Sequence, residues 1–149
     1  MQKGAYTLLI TPFRDDLSLD EEGLALLVQK QVEAGVHGIA PLGVTGENTL
    51  LDLAEIKKVV EIIVKEAKGR VKVVPDTCAA GLREALERVA MYNEIGADYI
   101  SVFTPFFILP REEGIIDFYE KLADFSKIPV ILHGAKDRTG VELTPDIIA

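Results

Sequence analysis

Residues 71–107, VKVVPDTCAAGLREALERVAMYNEIGADYISVFTPFF, form the unit that decides the fold. Two short β-rich runs, residues 71–74 and 99–103, flank a helical pattern from about Leu82 to Ile95 that ends at Gly96. Both runs are mostly continuous in their apolar residues, which is typical of strands in a parallel sheet. The order strand, helix, strand predicts two parallel strands joined by a right-handed crossover.

The same alternation continues in both directions along the chain. Further β-rich runs lie at residues 6–10, 36–40 and 130–132, and the centres of successive runs are 28–34 residues apart. This spacing is the length of a strand–helix unit and predicts an α/β fold with a parallel sheet. Two architectures fit, a five-stranded doubly wound sandwich or part of an eight-stranded βα barrel. The sequence has neither a Gly-rich dinucleotide fingerprint after the first run nor a P-loop, which weakens the sandwich.

Local signals mark where the helices begin. Ser18 followed by Glu21 has the spacing of a capping box, and Asp52 with Glu55 is predicted to open the next helix. A fourth helix is predicted to start near Pro110, and the dipeptide at residues 144–145, Thr-Pro, predicts the N-cap and first residue of a fifth.

The composition excludes several classes of function. The chain has 149 residues, 24 of them acidic and 16 basic, for a net charge of −8. Nucleic acids and anionic membranes require a cationic face, so neither is expected as a partner. One cysteine cannot build a disulfide framework or a cysteine-based zinc site, and we expect neither a metal nor a cofactor. A single cytoplasmic domain over residues 1–149 without a membrane span is expected.

Candidate site residues follow from the rule that parallel βα folds bind ligands at the carboxyl ends of their strands. After the second run, Gly43 and Gly46 bracket Val44 and Thr45. Such a turn presents backbone N–H groups beside a hydroxyl and can hold a carboxylate. A plain connecting turn is the alternative interpretation.

The segment after the fifth run adds two candidates. His133 could shuttle protons near neutral pH, although a purely structural histidine is the alternative. Arg138 could pair with a substrate carboxylate or instead form a surface ion pair with Asp137 or Glu142. Asp76 follows the third run on the same side, but a lone carboxylate is no metal site.

Taken together, these motifs resemble the dihydrodipicolinate synthase / N-acetylneuraminate lyase family. The resemblance rests on residues 43–47 (GVTGE), 104–107 (TPFF) and 138–140 (RTG), with support from residues 9–13 (LITPF) and 33–35 (EAG). It covers the whole chain, and it is strong because five motifs occur in order at the right spacing. It implies a homo-oligomeric (β/α)8 barrel in which a lysine forms a Schiff base with pyruvate or another 2-oxo acid.

The resemblance also assigns roles to individual residues. Thr45 and the backbone of Gly46 match the loop that holds the 2-oxo acid carboxylate, and Arg138 matches a segment that contacts the carboxylate of the second substrate. Three positions of the family's hydroxyl proton relay are substituted, because Val44 replaces a hydroxyl residue and Phe107 and His133 replace tyrosines.

Two hypotheses follow from the resemblance. The family's Schiff-base lysine belongs to a sixth strand, beyond Ala149, and Lys136 is only a remote candidate for a relocated amine. The first hypothesis is a carbon–carbon lyase whose N-terminal part, β1–β5 with the intervening helices, ends within the fifth helix. On this view the 149 residues alone are inactive. The second is a catalytically silent or assembly-dependent half barrel.

Overall fold

Strands and helices alternate along the chain in the computed structural model, which describes residues 3–149. The strands are β1 (Tyr6–Leu8), β2 (Gly38–Ala40), β3 (Lys72–Val73), β4 (Asp76–Thr77), β5 (Ile100–Phe103) and β6 (Val130–His133). The helices are α1 (Glu21–Glu33), α2 (Leu53–Ala67), α3 (Leu82–Ile95), α4 (Glu112–Phe125), α5 (Lys136–Thr139) and α6 (Pro145–Ile148), with a 3-10 turn at Asn48–Leu50.

The third strand continues beyond the predicted residues 71–74 and is divided around Pro75 into β3 and β4. Val74 N–H donates to the carbonyl oxygen of Ile39 in β2 at 2.9 Å, and the Pro75 carbonyl accepts from Ser101 N–H in β5 at 3.0 Å. Proline has no N–H to donate, which interrupts the ladder at this point. The segment therefore joins a β1-β2-β3 sheet to a β4-β5-β6 sheet, and all pairs are parallel.

The order of the strands separates the two architectures left open by the sequence. Strands pair strictly in chain order, whereas a doubly wound sandwich reverses its order at a switch point. With right-handed crossovers and no reversal, all connecting helices lie on one side of the sheet. Helices α1 to α4 accordingly pack each against the next, as in a βα barrel.

The core lies between the helices and the sheet face that they cover. It is built from aliphatic side chains such as Ile39 and Val102 of the sheet and Leu24, Val59 and Leu122 of the helices, all buried. The opposite face, here called the inner face, carries a hollow of about 180 Å³ lined by Tyr6, Leu8, Ala40, Val74, Asp76, Ser101, Ile131 and His133. Leu8 of β1 remains 58% exposed there.

Most of the predicted helix signals are confirmed. Helix α3 has the predicted bounds, with Gly96 at φ +89° as its C-cap. Asp52 and Glu55 form the complete capping box of α2. Thr144 is the N-cap of α6, with Pro145 as its first residue.

The capping prediction at Ser18 is wrong. Helix α1 is capped by Asp20, whose carboxylate accepts a hydrogen bond from Gly23 N–H at 3.0 Å. Ser18 instead bonds through its N–H and hydroxyl to Asp16, at 3.0 and 2.6 Å. Both residue types are good N-caps. Asp20 directly precedes the first helical residue, Glu21, so its side chain is the one that reaches the free N–H groups of the first turn. Helix α5 was not predicted, because its segment reads as a loop.

Candidate functional site

A cleft of about 310 Å³ lies at the carboxyl ends of the strands, where the sequence places the site. It is bordered by the segments that follow β2, β4, β5 and β6. Its walls are Gly43, Val44, Glu47, Asn48, Thr49, Leu50, Cys78, Phe103, Phe106, Arg138 and Thr139. Two predicted residues, Val44 and Arg138, therefore share one cleft.

The turn after β2 is held by contacts beneath it. Gly46 N–H donates to the carbonyl oxygen of Gly43 at 3.1 Å, and Gly46 accepts from the buried Thr11 hydroxyl at 2.7 Å. The Gly46 N–H is thus engaged within the turn. Val44 and Thr45 are exposed at its tip, which leaves the Thr45 hydroxyl accessible to a ligand.

A buried polar network supports this turn from below. Asn48 donates from Nδ2 to the carbonyl oxygen of Asp76 at 3.3 Å and accepts at Oδ1 from Arg88 Nη1 at 2.5 Å. Arg88 also pairs with Glu84, and the Tyr92 hydroxyl donates to the same Asp76 carbonyl at 3.2 Å. The sequence analysis missed this network. Its signal is Arg88 on the buried stripe of α3, between Ala85 and Tyr92.

His133 lies at the end of β6 on the inner face, in contact with three residues of neighbouring strands. Its Nδ1 is 3.2 Å from Asp76 Oδ1 and 3.2 Å from Ser101 Oγ. The ring stacks on Phe103, with centroids 3.9 Å apart. Phe103 also lines the cleft, so His133 packs against one of the cleft's wall residues.

The electrostatics of the site favour His133 as its titrating group. The hydrogen bond to Asp76 raises the pKa of His133 and outweighs partial burial, which acts in the opposite direction. Burial raises the pKa of Cys78, at the cleft wall, to about 11. Cys78 is therefore a neutral thiol near pH 7 and a poor nucleophile.

Two predicted residues are placed less centrally. Phe107 has φ +71° and a side chain that is 91% exposed, and its neighbour Phe106 lines the cleft instead. The structure thus does not bring Phe107 to His133. Arg138 borders the cleft with an exposed side chain, paired at Nε with Asp137 at 3.2 Å.

Lys136, the alternative amine, is also a surface residue. Its Nζ pairs with Glu142 Oε2 at 2.5 Å, and both side chains are exposed. The Lys136 amine is thus held in a surface ion pair and does not line the cleft.

Residues 3–149, the part of the chain that the structure describes, contain neither a metal-binding cluster nor a membrane-spanning helix. No three His, Cys, Asp or Glu side chains converge there in a way that could hold a metal ion. None of the helices in that part is long and apolar enough to cross a membrane.

Comparison with known proteins decides the family. The model of the dihydrodipicolinate synthetase family matches residues 1–149. The chain belongs to this family. A similar curated relative is the 4-hydroxy-tetrahydrodipicolinate synthase of Methanopyrus kandleri, 40% identical over 148 residues, a match that covers 99% of the chain and 49% of the relative.

Solved structures of family members confirm the fold. Dihydrodipicolinate synthase from Aquifex aeolicus superposes with a TM-score of 0.95 at 34% identity, over 99% of this chain and 50% of that one. The chloride-inhibited synthase from Acinetobacter baumannii, complexed with pyruvate, gives 0.94 at 32% identity, over 97% and 50%. The predicted fold class, the N-terminal part of a (β/α)8 barrel, is confirmed. The chain spans about half the length of the family members that it matches.

Proposed function

We propose that residues 1–149 supply the carboxylate-binding turn and the proton-transfer side chain of a carbon–carbon lyase site. The substrate is pyruvate or another 2-oxo acid, and the lysine that forms the Schiff base lies outside these residues. One observation carries the proposal. In a chain of the dihydrodipicolinate synthetase family, His133 stacks on Phe103, and Phe103 and Val44 of the turn after β2 line the same cleft.

The chemistry requires a carboxylate contact and a proton carrier. The lysine amine adds to the 2-oxo carbon, and the resulting carbinolamine takes up a proton and loses water, which gives an iminium ion. Loss of a proton from the adjacent carbon gives the enamine, whose carbon forms the new bond. Thr45 donates its hydroxyl to the carboxylate, and His133 takes up and returns protons. Arg138, at the rim of the cleft, is suited to the carboxylate of a second substrate.

The substituted relay positions bear on the identity of the substrate. Val44 carries no hydroxyl, and Phe107 is 91% exposed and does not line the cleft. Proton transfer therefore depends on an imidazole rather than on hydroxyl groups. This difference favours a 2-oxo acid reaction other than the synthase reaction.

A specific observation favours the assembly-dependent alternative. The inner face carries exposed apolar side chains, Leu8 at 58% and Ile10 at 51%. Exposed apolar surface of this kind marks a site where another polypeptide segment can pack. In this alternative the chain is catalytically silent until a complementary half barrel docks on the inner face.

Self-association is also part of the proposal. Phe107, Ile108 and Leu109 form a contiguous exposed apolar segment beside the cleft. We expect a homo-oligomer with this segment at its interface, in the cytoplasm. Sedimentation of the chain and of an Ile108→Ser variant tests this: the variant should shift toward monomer, and an unchanged sedimentation coefficient would contradict it.

Borohydride trapping tests the proposed function. The chain is measured alone and after fusion to the remaining half of the Methanopyrus kandleri synthase, here called the joined barrel. With pyruvate and borohydride, the joined barrel should gain the mass of a reduced pyruvate adduct at a lysine outside residues 1–149. The chain alone should gain none, including at Lys136.

A matched pair of variants tests the carboxylate contact. In the joined barrel, Thr45→Val should raise the pyruvate concentration needed for half-maximal trapping. Thr49→Val removes a nearby exposed hydroxyl, at the wall of the cleft, and should leave that concentration unchanged. Absence of an adduct in the joined barrel, or equal effects of the two variants, would contradict the proposal.

A further inference from the structure

A carboxylate is buried directly beneath His133. The Asp76 side chain is 2% exposed, and among residues 3–149 His133 is its ion-pair partner. The backbone at this point is fixed, because the Asp76 carbonyl accepts from Asn48 Nδ2 and from the Tyr92 hydroxyl. A buried carboxylate is costly unless it is paired, so the contact with His133 is needed to keep it there.

The second oxygen of this carboxylate packs against a glycine, Gly43. A Cβ atom on Gly43 would lie 2.6 Å from Asp76 Oδ2, closer than real Cβ contacts allow. The carboxylate therefore fills the space that the missing side chain leaves. Asp76 is confined between Gly43 on one side and His133 on the other.

This geometry selects one protonation state of the ring. If Nδ1 were unprotonated, its lone pair would face the Asp76 carboxylate at 3.2 Å, which is repulsive. A proton on Nδ1 instead makes a charge-assisted hydrogen bond to Asp76 Oδ1, with Ser101 Oγ close enough to share it. In the neutral ring the proton is then on Nδ1, and Nε2 carries the free lone pair.

The arrangement is not that of a nucleophilic triad. Ser101 Oγ and Asp76 Oδ1 both contact Nδ1, so the ring cannot take a proton from Ser101 at one nitrogen while bonding the carboxylate through the other. Ser101 is therefore a second contact of the ring and not a nucleophile.

We propose that Asp76 is the positioning residue of the site: it holds His133 with Nδ1 protonated, so that Nε2 exchanges protons with the bound 2-oxo acid. This inference rests on the proposed function. Nε2 accepts the proton lost from the carbon next to the iminium, which gives an imidazolium ion that Asp76 stabilises. His133 later returns that proton, so no net charge is gained over one turnover.

Among the groups that surround His133, Asp76 is the one that controls the titration of its ring. Besides His133, the hollow on the inner face contains two titratable side chains, Asp76 and Tyr6. Tyr6 lies in β1, whereas Asp76 is in direct contact with the ring, and the third contact, Phe103, is uncharged.

The second histidine of the chain provides an internal reference. His37 Nδ1 accepts a hydrogen bond from Ala5 N–H at 3.1 Å, so its proton must be on Nε2. The two histidines are thus expected to be opposite tautomers. Imidazole ¹⁵N–¹H correlation spectra of the 149-residue chain, with His37→Gln for assignment, should show His133 as the Nδ1–H form. An Nε2–H form at His133 would overturn the proposal.

Variants separate positioning from a merely structural role. Asp76→Asn should lower the pKa of His133 in the NMR titration and shift its tautomer toward Nε2–H. Asp98→Asn removes a carboxylate that pairs with Lys72 away from His133, and it should change neither. An unchanged His133 titration in a folded Asp76→Asn chain would overturn the proposal.

The activity of the joined barrel provides a further readout, one that a purely structural role of Asp76 would leave unchanged. His133→Asn should reduce the exchange of pyruvate methyl protons with solvent by about 10²-fold or more. Asp76→Asn should displace the limb of the pH–rate profile assigned to His133 toward lower pH, and an unmoved limb would overturn the proposal. If no pyruvate adduct forms although His133 has the predicted tautomer, the proposed function fails while the pairing stands.

Discussion

Replacing Asn48 with alanine tests the buried network that supports the site. The Asn48 side chain makes two buried hydrogen bonds, a neutral one to the Asp76 carbonyl and a charged one from Arg88. A neutral bond contributes about 1 kcal/mol and a charged one about 1.5–3 kcal/mol. Asn48→Ala should therefore lower the free energy of unfolding by about 2–4 kcal/mol, since both partners stay buried.

Urea unfolding followed by circular dichroism measures this cost. Asn93→Ala is the matched control, because the Asn93 side chain makes one exposed hydrogen bond, from Lys127 N–H at 3.2 Å. The control should cost no more than about 1 kcal/mol. If the two variants destabilise the chain equally, at an unchanged urea m-value, the Asn48 network does not support the fold as argued.

Two further predictions concern the paired side chains of Asp76 and His133. Because the pKa of His133 is raised on folding, its pairing with Asp76 stabilises the chain fully below about pH 6.5, the ordinary histidine value, and this stabilisation is lost as pH rises through the folded-state pKa. Urea unfolding should therefore give a lower free energy of unfolding at pH 8.5 than at pH 5.5. Asp76→Asn should abolish that difference. Gly43→Ala should displace the Asp76 carboxylate and destabilise the chain by about 1–3 kcal/mol, the usual cost of overpacking. In Gly134→Ala the new methyl group would come no closer than 3.7 Å to Leu143, an ordinary contact, so a similar loss there would refute the steric argument.

Local features of the sequence were sufficient to predict the helices. The bounds of α3 follow from its apolar spacing and from Gly96, and the capping box of α2 involves residues only three positions apart. At α1 two capping residues lie close together, and sequence alone did not distinguish Ser18 from Asp20. The division of the third strand depends on hydrogen bonds to two different neighbours, which local patterns do not encode.

The candidate site could be predicted only in part, for a related reason. The edge of the sheet and the positions of Val44, Thr45 and His133 follow from where the strands end. Asp76 looked like a lone carboxylate because its partner is 57 residues away in the sequence. Only the register, which pairs Asp76 with Ser101 and Phe103 with His133, brings these side chains together.

The orientation of Phe107 was not accessible to sequence reasoning either. Its left-handed backbone, at φ +71°, is uncommon for a bulky residue, and nothing in the TPFF segment signals it. The backbone conformation places Phe106, not Phe107, at the cleft.

The most direct test of the account is a crystal structure of the borohydride-reduced pyruvate adduct in the joined barrel. The adduct carboxylate should lie within hydrogen-bonding distance of the Thr45 hydroxyl, and His133 Nε2 should face the carbon next to the former imine. An adduct carboxylate bound away from the turn after β2, or a His133 ring that presents Nδ1 to the adduct and has left Asp76, would contradict it.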